Sequence, residues 1–280
     1  MEIITKPSRY YSPLRYPGGK AGLSKYLSVL LEVNSIHQCR YVEPFAGGAG
    51  AALNLLINED VDSIVINDLD KHIYYFWYSI INNSEDFIER VEAVNLSVEE
   101  WVKQKQIFTD PNASIFEKGF ATFFLNRTNR SGILNGGPIG GMEQRSEWKI
   151  DARFNREGLT ERIHKIGLYK NRIHLENKNA FELLSNIDLK NNYFIYLDPP
   201  YVNKAKDLYL NHFTKDDHIL LASFLNSSKH LKWVLSYDND EFIKKLYKNR
   251  VCKEFNINYS ADKVRKGKEI IIFSDNILQC

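Results

Sequence analysis

Apolar and polar positions along the first seventy residues alternate in blocks of two kinds. A Pro/Gly stretch, YSPLRYPGGK, leads into an apolar periodic run that predicts a helix from about Leu23. A short apolar run at 40–42 predicts a strand, followed by a glycine-rich turn, EPFAGGAG, and the helical run AALNLLIN. A second strand, SIVIND, ends in an acid, and an apolar helix is expected over about 71–81. This β-α-β-α order predicts a parallel sheet. Between 84 and 190 the pattern turns mostly helical and polar, and five glycines fall between 132 and 141, so a loop or hairpin is expected there. The α/β rhythm resumes at NNYFIYLDPPY, read as a buried strand running into a rigid turn. A helix at about 215–228, the strand KWVLSYDND, and a helix at 240–248 follow. The last two apolar runs, VCKEFNINYS and KEIIIFSDN, flank a basic loop and predict an antiparallel hairpin.

Composition narrows the class. At 280 residues with 44% hydrophobic and 26% charged residues, the chain reads as globular: one large domain, or a main domain with an insert. A disordered or collagen-like chain is excluded. No apolar run reaches about 18 residues and no signal-peptide core opens the chain, so no membrane association is expected and the cytoplasm is the expected address. Cys39, Cys252 and Cys280 are widely spaced, which predicts neither a disulfide framework nor a zinc site; no metal is expected.

The net charge of +2 conceals a gradient. Residues 1–40 carry +4, residues 41–100 carry −10, residues 101–180 carry +6 and residues 181–280 carry +2. The basic third block interleaves Arg127, Arg130, Arg145, Arg153, Arg156 and Arg162 with Asn, Gly and Ser. Arginine forks suit phosphates and guanine edges, so this block is a candidate polyanion surface.

Four motifs carry candidate chemistry. Asp198-Pro199-Pro200-Tyr201 follows a strand, and ligands of open α/β sheets bind at carboxyl ends of strands. The prolines stiffen the backbone and leave carbonyl acceptors without N–H donors. A carboxylate beside such a carbonyl matches the two hydrogens of a planar NH₂ group, and Tyr201 offers a stacking face. The turn with Glu43, Phe45, Gly47, Gly48 and Gly50 suits NAD, ATP or AdoMet, though it is neither a P-loop nor a good dinucleotide fingerprint. Asp68 ends the second strand where an acid commonly binds ribose hydroxyls, and Asp70 is expected to cap the next helix. Tyr16-Pro17-Gly18-Gly19-Lys20 places a cation behind a Gly-Gly turn. No cysteine follows a proline, which disfavours cytosine C5 chemistry.

Taken together, RYPGGK at 15–20, VEPFAGGAG at 42–50, IND at 66–68, FFLNRTNRSG at 123–132, YLDPPY at 196–201 and SYDND at 236–240 resemble the Dam-type N6-adenine DNA methyltransferases, the D12 class of group alpha. The resemblance spans essentially the whole chain. It implies a Rossmann-like AdoMet-dependent sheet ending in an antiparallel hairpin, formed by residues 1–71 and 181–280, with a mainly helical target-recognition insert over 72–180. It implies S-adenosyl-L-methionine (AdoMet) as cofactor and a flipped-out adenine of double-stranded DNA as substrate. A cognate restriction endonuclease is the kind of partner it allows. By position, Tyr16, Lys20, Glu43, Phe45, Gly47, Asp68 and Asp198 would form the AdoMet site. Asp198, Pro199, Pro200 and Tyr201 would act on the adenine, and Arg127, Asn129, Arg130, Arg145 and Arg153 would meet DNA. The rival activities are transfer to cytosine N4, RNA adenine or a protein glutamine; the rival classes are a catalytically dead DNA-binding relative and a NAD-dependent reductase. Two departures stand out: Ala49 occupies the family's second glycine position, which predicts an altered turn, and SGILNGGPIGG lacks the arginine of GATC-specific members, so GATC is not the assumed target.

Overall fold

A computed structural model describes residues 3, 9–16, 19–187, 192–202, 213–259 and 265–280. Pro17 and Gly18, and residues 260–264 of the basic hairpin loop, lie outside the described residues. Seven strands form one mixed sheet in the order β3-β2-β1-β4-β5-β7-β6. Strands β1 (Arg40–Glu43), β2 (Ser63–Asn67), β3 (Ile173–Glu176), β4 (Tyr193–Leu197) and β5 (Trp233–Asp238) run parallel. β7 (Arg265–Phe273) joins β5 antiparallel, and β6 (Cys252–Tyr259) pairs with β7 as the expected terminal hairpin.

The interior strands earn their places by composition. β2, β4 and β5 are near-continuous apolar runs, the pattern of strands covered on both faces. β3 is different. The run Ile-His-Leu-Glu has one buried residue, Ile173, and sits at a sheet edge, where such mixed strands are tolerated. Sequence patterning assigned this stretch to the recognition insert, yet the chain rejoins the sheet here, ahead of residue 181.

Helices α1 (Ser24–Val33), α2 (Gly50–Ile57) and α3 (Lys71–Asn82) flank the first half of the sheet. α4 (Ser84–Ala93), α5 (Val98–Thr109), α6 (Ile115–Thr128) and α7 (Arg156–Leu168) build the helical lobe. α8 (Ala180–Ser185), α9 (Lys215–Ser227) and α10 (Glu241–Leu246) belong to the second half. Three of the four lobe helices start on a side-chain cap: Ser97 caps α5, Ser114 and Glu117 form a capping box on α6, and Asn155 caps α7.

The lobe has a small cluster of its own, Phe108, Ala121 and Leu125 between α5 and α6, but most of its aromatic core is shared with the sheet. Phe76, Phe87, Phe120, Phe123, Phe124 and Phe154 belong to the same apolar cluster as Leu27 and Tyr41 beside the sheet. Phe76 and Phe123 stack with centroids 6.0 Å apart, and Phe154 meets Phe123 edge-on at 5.5 Å. Burial of this order fixes the lobe rigidly to the sheet, because each such aromatic side chain is worth about 3–5 kcal/mol when truncated. None of the helices among the described residues is long and apolar enough to cross a membrane.

Ala49 shows what the altered glycine turn costs. It caps α2 with φ +47° and ψ +33°, a left-handed conformation that glycine adopts without penalty. An L side chain there costs about 1–2 kcal/mol, partly offset by the greater freedom a glycine has when unfolded. Ala49→Gly is therefore expected to stabilise the chain by up to about 1 kcal/mol, a rise of roughly 2 °C in Tm. Thermal melting checks it, and a lower Tm would contradict the account.

Candidate active site

The glycine turn is held from four sides. Gly47 has φ +47°, and a Cβ there would come within 2.5 Å of the Tyr16 ring, so the ring rests on the backbone. The Gly47 N–H donates to Asp68 Oδ2 at 2.9 Å, and the Gly47 carbonyl accepts from the Trp77 indole at 2.9 Å. The ends of β1 and β2, helix α3 and the N-terminal motif thus meet at one residue that only glycine can fill without strain. Phe45 lies beside the turn, half-buried, edge-on to Phe213 at 5.4 Å.

Two acids end the adjacent strands. Asp70 accepts from the His72 N–H and caps α3, as expected. Asp68 does not swing free: besides Gly47 it accepts from the Asp70 N–H at 2.9 Å. Burial pushes its carboxyl up to about 7 against those two bonds. Glu43 accepts at Oε1 from the Tyr41 hydroxyl and the Ala52 N–H, both at 3.0 Å, and burial pushes it up to about 8. Both groups are acceptors in a place where a ligand's hydroxyl or amine donors improve the charged form.

The third acid is Asp198, just past the end of β4. Its two oxygens are clamped separately. Oδ1 accepts from Ser236 Oγ at 2.8 Å and Oδ2 accepts from the Lys20 ammonium at 2.9 Å. The Ser236 hydroxyl gives its one hydrogen to Asp198, so the Tyr196 hydroxyl, 2.7 Å away, donates to Ser236. Lys20 also donates to the Tyr201 hydroxyl at 2.7 Å, and that hydroxyl donates to Glu269. Lys20 lies 3.7 Å from the same Glu269 oxygen. Burial pushes the Asp198 carboxyl up to about 6, opposed by Lys20 and reinforced by Glu269. The Lys20 ammonium is held above its usual range: burial works against it, and Asp198 and Glu269 outweigh that. Pro199 is buried and Pro200 half-buried behind this corner. Tyr201, with 8% exposure, spends its hydroxyl inside the network and packs its ring against the second apolar cluster.

So Lys20, Asp198 and Tyr201, spread over 180 residues of sequence, are in contact, and Tyr16, Gly47 and Asp68 form a second contact group. Ser236 and Glu269 were not singled out in the sequence. Ser236 lies in the SYDND motif; Glu269 precedes the apolar run IIIF of an interior strand, and a charged residue at such a position was its signal.

The basic lobe residues divide into three kinds. Arg127 and Arg153 come together with Arg162 of the same basic block and with Arg15, which the sequence did not assign to DNA. Arg15 Nη1 donates to the Asn129 carbonyl at 3.1 Å, Arg162 Nη1 to the Ser12 carbonyl at 3.1 Å, and Arg127 Nη2 to the Arg153 carbonyl. None of these bonds reaches a carboxylate. Burial first, then Arg15, Arg162 and Arg153, push the Arg127 guanidinium down to about 9, and its Nε is buried without a hydrogen-bond partner among the described residues. Arg130 and Arg145 are exposed, Arg145 paired with Glu143 at 2.8 Å. Asn129 departs from its expected place at DNA. It is fully buried; its Oδ1 accepts from the Trp101 indole at 2.6 Å and its Nδ2 donates to the carbonyls of Ile133 and Leu134. Its neighbour Asn126 clamps Arg15, accepting from its N–H at 2.7 Å and donating to its carbonyl at 2.8 Å. These two asparagines tie the lobe to the N-terminal motif.

The parallel sheet with its reversed last strand, a glycine turn after β1 and an Asp-Pro-Pro-Tyr corner after β4 define a methyltransferase-type α/β protein. The chain belongs to the D12 class N6 adenine-specific DNA methyltransferase family, whose family model matches residues 16–265. It is 26% identical over 91% of its length to the type II methyltransferase M.MjaIII of Methanocaldococcus jannaschii, covering 95% of that protein. It is 23% identical to the type II methyltransferase M.CviBI of Paramecium bursaria Chlorella virus NC1A, covering 78% of this chain and 80% of that one. Among solved structures, an RNA methyltransferase described for Pyrococcus horikoshii aligns over 97% of this chain and 89% of its own at 10% identity, with a TM-score of 0.43.

Proposed function

We propose that this chain is a site-specific DNA methyltransferase that moves a methyl group from AdoMet to N6 of an adenine flipped out of duplex DNA. One observation carries the reading: the Asp198 carboxylate is pinned on both oxygens at the carboxyl end of β4, in the same corner as the glycine turn. The residues present fit the cofactor. Asp68 and Glu43 are buried carboxyl groups held above their usual range, suited to ribose hydroxyls and other donors, and Gly47 lets the Tyr16 ring rest against the turn beside them. Tyr16, Phe45 and Lys20 complete that wall.

When bound, AdoMet supplies an electrophilic methyl group on a sulfonium. The chain's own residues orient the acceptor. Asp198 takes one N6 hydrogen and the Pro199 carbonyl the other, which turns the nitrogen lone pair out of conjugation and along the line of attack. As the N–C bond forms and the S–C electron pair stays on sulfur, one N6 proton must leave. The ionised Asp198 carboxylate is its acceptor and passes it to water. Tyr201 holds the wall of that corner, its ring packed in the second apolar cluster and its hydroxyl tied to Lys20 and Glu269. Arg127, Arg130, Arg145 and Arg153, with Arg15 and Arg162, take the DNA backbone. The relatives' type II character extends the reading to a cognate endonuclease in the same cell.

Long-read mapping of modified bases in DNA from an expressing host tests this. The expected result is N6-methyladenine at one short sequence. Methyl transfer to RNA, protein or cytosine in a parallel acceptor assay, with unmodified adenine in DNA, would overturn it. Calorimetric titration with AdoMet separates an active enzyme from a relative that binds DNA alone.

A further inference from the structure

Glu269 is a fully buried carboxylate on β7, opposite Asp238 of β5 in the sheet register, and no motif contains it. Burying a carboxylate is expensive unless partners compensate it. Its partners are residues of the methyl-transfer corner: the Tyr201 hydroxyl donates to it, and the Lys20 ammonium lies 3.7 Å away. Both partners also touch the catalytic side of the corner, since Lys20 bridges to Asp198 at 2.9 Å and to Tyr201 at 2.7 Å. The last strand therefore reaches Asp198 through one shared cation.

We propose that Glu269 is a positioning residue for methyl transfer: it draws Lys20 and Tyr201 toward β7 so that Lys20 does not fully neutralise Asp198. The proposal rests on the methyltransferase reading and goes beyond it. A lysine shared with a second carboxylate leaves Asp198 more basic and a better acceptor than a lysine paired with Asp198 alone. The other groups around Asp198 are Lys20 from the turn before α1, Glu43 on β1, Tyr196 on β4, and Ser236 and Tyr237 on β5. Among the described residues Lys20 is the one cation in that set, so its distribution sets how much negative charge Asp198 shows to an amine.

The test pairs an isosteric variant with a charge-keeping one. Glu269→Gln can still accept from Tyr201 but no longer competes for Lys20. The sign follows directly: Glu269 raises the Asp198 pKa, so removing its charge lowers it. The acid limb of the kcat–pH profile is expected to move down by about one pH unit. kcat at pH 7.5 should fall roughly tenfold, with KM for DNA unchanged. Glu269→Asp keeps the charge on a shorter arm, so its acid limb should stay at the wild-type position while kcat falls. The same comparison is made without turnover by following the Asp198 carboxyl carbon by NMR titration. An Asp198 titration that does not move in Glu269→Gln, with wild-type kcat, overturns the proposal. Should Glu269→Gln fail to fold, Glu269→Asp decides: wild-type kcat overturns the role, and lowered kcat with unchanged KM supports it. Wild-type protein that transfers no methyl group to DNA would sink the methyltransferase reading instead, and the carboxyl titration would still report on Glu269.

Discussion

Asp198→Ala abolishes methyl transfer to DNA while leaving the chain folded. The loss expected is on the order of 10³-fold in kcat, the scale seen when a preorganised polar partner of a transition state is removed. The reason is positional. Asp198 holds its place because Ser236 and Lys20 grip separate oxygens, and among the described residues no other carboxylate is tethered at the end of β4. The fold survives because Lys20 is not left alone. Removing one member of a buried ion pair costs about 3–5 kcal/mol when the other charge is stranded. Here the ammonium keeps the Tyr201 hydroxyl at 2.7 Å and Glu269 at 3.7 Å, so the cost is expected nearer the about 1–3 kcal/mol of a lost hydrogen-bond partner. Radiolabelled methyl transfer and thermal melting, read on the same preparation, check both halves. Wild-type activity in the variant would remove Asp198 from the mechanism.

The wild type should also lose activity in acid. Asp198 must be ionised to accept from N6, and burial holds its carboxyl at about 6. Above that pH the carboxylate is available; below it the group carries its own proton and competes as a donor. kcat is therefore expected to rise between about pH 5 and pH 7. Asp198→Asn separates charge from shape: it keeps an oxygen acceptor, and its residual rate should be flat across that range.

How far the sequence reached depends on which interactions are local. β4 and its Asp-Pro-Pro-Tyr turn were legible because an unbroken apolar run followed by two prolines leaves few alternatives. The Asp70 cap was equally legible, as it is settled within a few residues. β3 was not, because a four-residue edge strand with one buried side chain has no period to detect, and its pairing with β2 spans more than a hundred residues. Asn129 failed for a related reason. In sequence it stands between two arginines and looks like a surface donor; only packing of α6 on α5 brings Trp101 to its oxygen. Lys20 and Glu269 needed both ends of the chain. A lysine behind a Gly-Gly turn could have faced solvent or a phosphate, and the strand that supplies its second anion is the last one in the chain. The same holds for the arginines, whose convergence needs the N-terminal motif, α6, the turn before α7, and α7 itself.

That convergence sets the second large effect. Replacing Arg127 and Arg153 together with glutamine should weaken binding of duplex DNA strongly and flatten its dependence on salt. Each phosphate contact releases about 0.9 counterion, so losing two contacts lowers the slope of log K against log salt by about 1.8. The arrangement favours phosphate as the guest. The guanidinium groups of Arg15, Arg127 and Arg162 are held by backbone carbonyls, one of them the carbonyl of Arg153, and burial followed by repulsion from Arg15, Arg162 and Arg153 pushes Arg127 down to about 9. A cluster that suffers repulsion in the free protein has an electrostatic reason to take up an anion. The same repulsion makes the substitution tolerable to the fold: glutamine at 127 keeps a donor for the Arg153 carbonyl, and both changes remove charge that works against folding. Thermal stability is thus expected to hold or rise while DNA affinity falls, a pair of opposite changes that a merely misfolded variant would not show. Fluorescence anisotropy across a salt series gives the slope, and melting gives the stability. An unchanged slope would place the DNA elsewhere on the lobe, at the exposed Arg130 and Arg145.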